Sequence, residues 1–279
     1  MKIIGTISEF RKTGGNVLRP MGLVPTMGFL HEGHQALIRQ SKKENKTSTV
    51  SIFVNPTQFG PTEGFGEYPR DMEADLKLLE SEGIDLVFAP RVDEVYPSGF
   101  STYVEVGELA KSLEGKHRPT HFRGVATVVC KLLNVCRPDR AYFGQKDAQQ
   151  CAVIKRLNQD LALGVEVVIV PTVRDSDGLA LSSRNIYLKQ HEREAALFLS
   201  QGLFLARDLF KSGVRSVEVL INAASEVMES SPLISIDYIH LTDPDTLEGV
   251  HSLSGNALLS AAIRVGEVRL IDNLILTDK

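Results

Sequence analysis

At 279 residues the chain can form one large or two smaller domains, and its 43% apolar and 24% charged residues are ordinary for a globular protein. A net charge of −4 with no long run of one sign argues against generic nucleic-acid binding, so an anionic ligand would meet a few placed cations. No stretch approaches the roughly 18 apolar residues of a membrane span, and MKIIGTISEFRKTGG lacks the apolar core and cleavage site of a secretory signal. Cys130, Cys136 and Cys151 form no CxxC pair and are odd in number, which argues against a zinc ribbon or disulfide framework and predicts three buried thiols in a reducing cytoplasm.

The first 175 residues alternate between short β-branched runs and longer amphipathic stretches. Strands are expected at MGLVPT (21–26), TVSIFVNP (49–56), DLVFAP (85–90), RAYFGQ (140–145) and EVVIVPTV (166–173). Between them, ALIRQSKKE, MEADLKLLESEG, GVATVVCKLLNVC and AQQCAVIKRLNQDLAL place apolar residues three and four apart, as helices packed on one face require. The alternation predicts βαβ units and a parallel sheet, with ligands at the carboxyl ends of the strands where strand order reverses. After RDSDG (174–178) the pattern changes. HEREAALFLSQGLFLARDLFKSG and SVEVLINAASEVMESS read as helices, and ISIDYIHL, ALLSAAIRVG and EVRLIDNLIL as strands, the last two a hairpin turned at Gly266-Glu267. The expected organisation is a Rossmann-like α/β domain over residues 1–175 and a smaller α+β domain over 176–279.

PTMGFLHEGH (25–34) lies where a strand becomes a helix. Gly28 and Gly33 permit a tight turn and close ligand approach. A helix beginning near Gly33 would aim backbone N–H groups and its positive dipole end above the sheet, and His31 and His34 would share one side of it. Three readings compete: a metal site, a phosphate site and a polar turn. The metal reading lacks further ligands, since no HExxH or Cys/His cluster accompanies the pair.

HEGH resembles the HIGH motif of the nucleotidyltransferases related to class I aminoacyl-tRNA synthetases, and PTMGFLHEGHQAL resembles the pantoate–β-alanine ligase family in particular. FVNPTQF (53–59), YPRDMEAD (68–75), HFRGVATVV (121–129), YFGQKDAQQ (142–150) and LSSRN (181–185) extend the resemblance over nearly the whole chain in the right order. Phe29 and Thr120 depart from it, standing where a smaller residue and a glycine are usual.

The resemblance implies an α/β Rossmann-like nucleotidyltransferase domain and an ATP-dependent condensation of pantoate with β-alanine through pantoyl adenylate, releasing AMP and pyrophosphate. It implies ATP contacts from Met27, Gly28, Phe29, Leu30, His31, Glu32, Gly33 and His34, from Gly144, Gln145, Lys146 and Asp147, and from Val173, Leu181, Ser182, Ser183 and Arg184. His31, His34, Lys146 and Arg184 are the expected catalytic groups. Lys146 suits a phosphate oxygen as a point charge, against the plainer reading of a salt bridge with Asp147. Ser182, Ser183 and Arg184 could close over a triphosphate or merely cap a helix. Gln58 and Gln150 are expected around pantoate, and Gln58 also near β-alanine, because a neutral amide both donates and accepts. Asn55 could bond a ligand or stabilise its own turn. FGPTEGFGEYPR (59–70) reads as a lid or a plain surface loop. Mg²⁺ is expected with ATP, carried mostly by phosphates and water, so no dedicated protein metal site need appear; Asp75 could contribute to it, but reads more plainly as a surface helical acid. Pantoate, β-alanine and ATP are the expected partners, with no nucleic acid or membrane, in a cytoplasmic homodimer. Competing readings are a nucleotidyltransferase moving AMP or CMP onto a phosphate-bearing acceptor, and a non-catalytic nucleotide- or tRNA-binding module.

Overall fold

Strand β2 (Met21–Thr26) runs parallel to β3 (Thr47–Ile52) in register from Met21↔Thr47 to Thr26↔Ile52, and both are almost wholly buried, as a sheet covered on two faces demands. They sit in a computed structural model that describes residues 1–60, 64–253 and 255–277. With β1 (Lys2–Ile4), β4 (Leu86–Phe88), β5 (Arg140–Gly144) and β6 (Glu166–Val170) they form a six-stranded parallel sheet in the order β1-β4-β3-β2-β5-β6. Strand order reverses between β2 and β5, which are paired through Gly22↔Arg140 and Leu23↔Ala141. Carboxyl ends at such a reversal form a crevice, because the connections leave them to opposite sides.

The chain divides into two compact units, Met1–Gly144 with Gln149–Pro171, and Gln145–Ala148 with Thr172–Lys279. In the first unit α1 (Ile7–Gly14), α2 (Glu32–Glu44), α3 (Met72–Ser81), α4 (Val92–Val95), α5 (Glu114–His117), α6 (His121–Cys136) and α7 (Ala148–Asp160, from Gln149 onward) accompany the sheet. One core cluster joins Leu23, Phe88, Phe122, Val129, Phe143 and Ile154; another joins Val24, Ile38, Val50, Leu79 and Tyr142. Helix α2 lies close on β2. A Cβ at Gly22 would stand 2.3 Å from Ser41 Oγ, and Ser41 shares a 2.9 Å hydrogen bond with Ser48 of β3.

In the second unit α8 (Gln190–Lys211) and α9 (Val217–Glu229) pack with the antiparallel strands β7 (Ile234–Thr242), β8 (Ala257–Val265) and β9 (Val268–Leu276) around Leu199, Leu203, Phe210, Leu220, Leu259 and Ile263. The hairpin turns at Gly266-Glu267 as expected, with Val265 opposite Val268 and Gly266 at φ +57. The Rossmann-like sheet with a smaller α+β part is therefore present.

Several expectations need correction. The strand expected over 49–56 occupies Thr47–Ile52, because its partner β2 ends at Thr26 and the ladder ends with it. The strand expected to reach 173 stops at Val170, just before Pro171, which has no N–H to donate. Cys136 and Cys151 are buried, but Cys130 is half-exposed. Thr120 has φ −96 and ψ −8, which any residue adopts, so that position requires no glycine. Among the described residues no helix is long and apolar enough to cross a membrane.

Helix α6 comes up against the loop after β3 at Gly124. A Cβ on Gly124 would stand 2.3 Å from the Thr57 carbonyl oxygen and 2.5 Å from Gln58 N, both backbone atoms. Gly124→Ala is expected to push this loop away and to destabilise the protein by about 1–3 kcal/mol, the usual range for overpacking. A urea unfolding midpoint equal to wild type would contradict the contact.

Candidate active site

Within the first unit the turn leaving β2 carries the histidines. Gly28 is at φ +79, where a Cβ would also meet an Asp75 carboxylate oxygen at 2.9 Å. Phe29 follows at φ +53, a left-handed conformation that costs a side-chain-bearing residue about 1–2 kcal/mol. Asp75 of α3 holds the strained turn: its carboxylate accepts Phe29 N–H at 2.8 Å and Leu30 N–H at 2.7 Å. Asp75 is thus buried and structural, not the surface helical acid expected. Burial pushes its carboxyl up, opposed by the two backbone N–H groups.

His31 is the N-cap of α2. Its Nδ1 accepts Gly33 N–H at 3.1 Å, and Nδ1 of His34 accepts His31 N–H at 3.3 Å, with ring centroids 4.1 Å apart. The N–H of His34 is also taken, by the His31 carbonyl at 2.8 Å. The helix therefore caps itself with the two imidazoles, and the N–H groups of Gly33 and His34 are bonded within the turn instead of being free as expected. A ring nitrogen that accepts a hydrogen bond carries no proton, so both rings are in the Nε2–H tautomer. In each ring the nitrogen left to donate is then Nε2.

Gln58 is buried in the one-turn helix Pro56–Gln58. Asn55 Nδ2 donates to Gln58 Oε1 at 3.0 Å and to the Gly124 carbonyl at 3.1 Å, while Asn55 Oδ1 accepts from the Tyr96 hydroxyl at 2.8 Å and the Thr57 hydroxyl at 2.9 Å. Asn55 stabilises its turn and so orients Gln58, whose NH₂ lies 3.1 Å from Met27 Sδ. His121 Nδ1 lies 2.9 Å from the Gln58 carbonyl oxygen. Gln150 is half-buried in the first turn of α7. A cavity of about 730 Å³ opens beside the turn, against Met27, Gly28, Phe53, Asp75 and Tyr96, but neither histidine nor Gln58 lines it. Of the segment expected as a lid, residues 61–63 lie outside the described residues. Its described part packs on itself, Phe59 against Phe65 and Tyr68, with Arg70 donating to the Phe65, Gly66 and Tyr68 carbonyls.

In the second unit Gln145–Asp147 form one 3₁₀ turn. Lys146 Nζ lies 3.4 Å from Asp147 Oδ1, the salt bridge weighed from sequence, with the lysine side chain 18% exposed. The Leu181 N–H donates to the Val173 carbonyl at 3.0 Å, closing a loop pinned by Arg193 to Asp175 and Asp177. Ser182 Oγ accepts Arg184 N–H at 3.3 Å, the cap weighed from sequence, and the Arg184 side chain is exposed. Arg174 pairs bidentately with fully buried Asp272 at 2.5 and 2.9 Å; burial pushes that carboxyl up and the guanidinium pulls it back down. Among the described residues no group of three or more His, Cys, Asp or Glu side chains could hold a metal ion. Asn55 takes the turn-stabilising alternative weighed from sequence, whereas Asp75, Gly124 and Asn273 escaped the sequence reading as supports of the turns, although all three lay inside quoted strings.

The model of the family described as pantoate-beta-alanine ligase matches residues 2–275. A pantothenate synthetase of Roseiflexus castenholzii is 52% identical over 276 residues, covering 99% of each chain. The crystal structure of pantothenate synthetase from Thermus thermophilus superposes with a TM-score of 0.95 at 45% identity, covering 98% of this chain and 99% of that one. A pantoate-beta-alanine ligase from Francisella tularensis, complexed with beta-gamma ATP and beta-alanine, gives a TM-score of 0.80 at 36% identity, covering 99% and 97%.

The Asp75 contacts generate a pH signature. Asp75→Asn keeps one acceptor but turns an NH₂ toward the second backbone N–H, a loss of about 1–3 kcal/mol at neutral pH for one buried donor left unsatisfied. Because the folded carboxyl is raised, the native state binds its proton more tightly than the unfolded chain does. That contribution is complete below the unfolded value of about 4 and is lost as pH rises through the folded value. The stability difference between wild type and Asp75→Asn is therefore expected to be largest at the acid end and to narrow with rising pH. Urea unfolding measured from pH 4 upward checks this, and a gap that widens with pH would contradict it.

Proposed function

The chain belongs to the pantoate–β-alanine ligase family, and on that premise we propose which of its residues carry the reaction. The enzyme is an ATP-dependent ligase that joins pantoate to β-alanine. The pantoate carboxylate attacks the α-phosphorus of ATP, the bond to pyrophosphate breaks, and pantoyl adenylate forms. The β-alanine amine then attacks the acyl carbon, the carbon–oxygen bond to AMP breaks, and the amine gives up its proton as the amide of pantothenate forms. Neither step needs a covalent bond to the protein, so positioning and charge stabilisation carry the catalysis.

The observation supporting the residue assignment is the self-capping of α2. With both Nδ1 atoms committed to backbone N–H groups, His31 and His34 meet the nucleotide phosphates as Nε2–H donors where charge builds up. Lys146 and Arg184 compensate phosphate charge, the first as a point charge and the second as a fork. Residues 27–33, with Gly144, Gln145, Asp147, Val173, Leu181, Ser182 and Ser183, contact ATP, Asp147 on its ribose or adenosine side. Gln58 donates its NH₂ to pantoate, since Asn55 occupies its carbonyl oxygen; Gln150 is the second amide on pantoate, and Gln58 also lies near β-alanine. Mg²⁺ arrives with ATP on phosphate and water oxygens, consistent with the engagement of both Asp75 oxygens by backbone. The enzyme works as a cytoplasmic homodimer, a reading that rests on the family and on the free thiols.

Exchange of labelled pyrophosphate into ATP tests this. Pantoate alone should drive it, without β-alanine. His34→Ala should lower it by roughly 10²–10³, the scale of one preorganised donor, and Lys146→Ala and Arg184→Ala should lower it as well, all three remaining folded. Exchange that appears only with β-alanine would contradict a free-standing adenylate. A product carrying the nucleotide would favour a nucleotidyltransferase instead.

A further inference from the structure

The turn carrying Lys146 is held by a residue 127 positions later in the chain. Asn273, in the middle of β9, is 4% exposed. Its side-chain amide is fully committed to the turn: Nδ2 donates to the Gln145 carbonyl at 3.0 Å and to the Lys146 carbonyl at 2.8 Å, and Oδ1 accepts from Gln145 Nε2 at 2.9 Å. Both amide protons thus go to successive carbonyls and the oxygen to the first residue's side chain, so the contact fixes position and direction together. The anchor is itself fixed. Asn273 N–H donates to Asp272 Oδ1 at 2.8 Å, on the carboxylate that Arg174 grips, and Arg174 also donates to the Gly178 carbonyl at 3.1 Å. A polar Asp-Asn pair inside the apolar strand VRLIDNLIL would be a destabilising choice if it had no task, since buried polar groups are tolerated only when bonded.

We propose that Asn273 is a positioning residue for Lys146, holding the Gln145–Lys146 backbone so that the ammonium meets the nucleotide phosphates. The inference rests on the reading of Lys146 as a phosphate group. Asn273 touches no substrate; it acts through the lysine. A lysine is a flexible point charge, so its value to a developing phosphate charge depends on how firmly its backbone is set.

The test is a double-mutant cycle read by pyrophosphate exchange. Asn273→Asp keeps shape and the acceptor for Gln145 but turns an anionic oxygen toward two carbonyls; Asn273→Ala removes the donor without adding charge. Each is expected to slow exchange by roughly tenfold to a hundredfold, the scale of a misplacement of order 1 Å, with KM for pantoate unchanged. In a Lys146→Ala background neither should slow exchange further, because the group they position is gone. Their effect on thermal stability should persist in both backgrounds, which separates positioning from mere structure. Equal slowing with and without Lys146 would overturn the proposal, as would variants as fast as wild type. If Lys146→Ala itself leaves exchange unchanged, the reading of Lys146 fails and this inference with it; slow Lys146→Ala with fast Asn273 variants sinks the inference alone.

Discussion

The carboxylate of Asp75 sets the geometry on which the first unit's site depends. Phe29 stands at a positive φ that its side chain disfavours, and the chain stays there because two consecutive N–H groups, of Phe29 and Leu30, are bonded to one buried anion. Those bonds direct the backbone into His31, which must be extended to cap α2 and is, at φ −136 and ψ 177. From that cap the tautomers of both imidazoles follow. Through backbone alone, one buried carboxylate on α3 thus sets the turn from which His31 caps α2.

A similar logic recurs around the other turns. Asn55 is saturated by Thr57, Tyr96, Gln58 and Gly124, and it leaves Gln58 with one orientation of its amide. Asn273 does the same for the Gln145–Asp147 turn in the second unit. The residues proposed to meet substrate are few and chemically ordinary; buried amides and a carboxylate, each bonded to backbone, give them fixed positions. This suits a reaction whose two steps need no covalent help from the protein and gain most from preorganised donors.

The strands and most helices were legible because hydrophobic periodicity reports burial directly. Residues 21–26, 140–144 and the β8–β9 hairpin follow the written pattern. The short β1 and α1 were not foreseen, since three residues of strand and eight of helix carry too little pattern. In β3, Thr47, Ser48, Thr49 and Ser51 are buried, and polarity hid where the strand begins. The glycines and neighbouring strings placed the histidine turn at a strand-to-helix junction, but nothing in HEGH says that its rings cap their own helix. Asp75 was misread because Asp71, Glu73 and Asp75 look alike at the start of a helix. Its spacing of four from buried Leu79 is the signal that separates it. Asn273 was invisible for a different reason: its partners are remote in sequence, and only the fold brings them together.

Everything proposed for the site follows from pantoate being activated by attack of its own carboxylate on the α-phosphorus. Pantoate labelled with ¹⁸O in both carboxyl oxygens tests that most directly, with AMP and pantothenate analysed by mass spectrometry after one turnover with ATP and β-alanine. One ¹⁸O is expected in AMP and one in the amide carbonyl of pantothenate, because the oxygen that attacks phosphorus departs with it. AMP without label, or label recovered in inorganic phosphate, would contradict it.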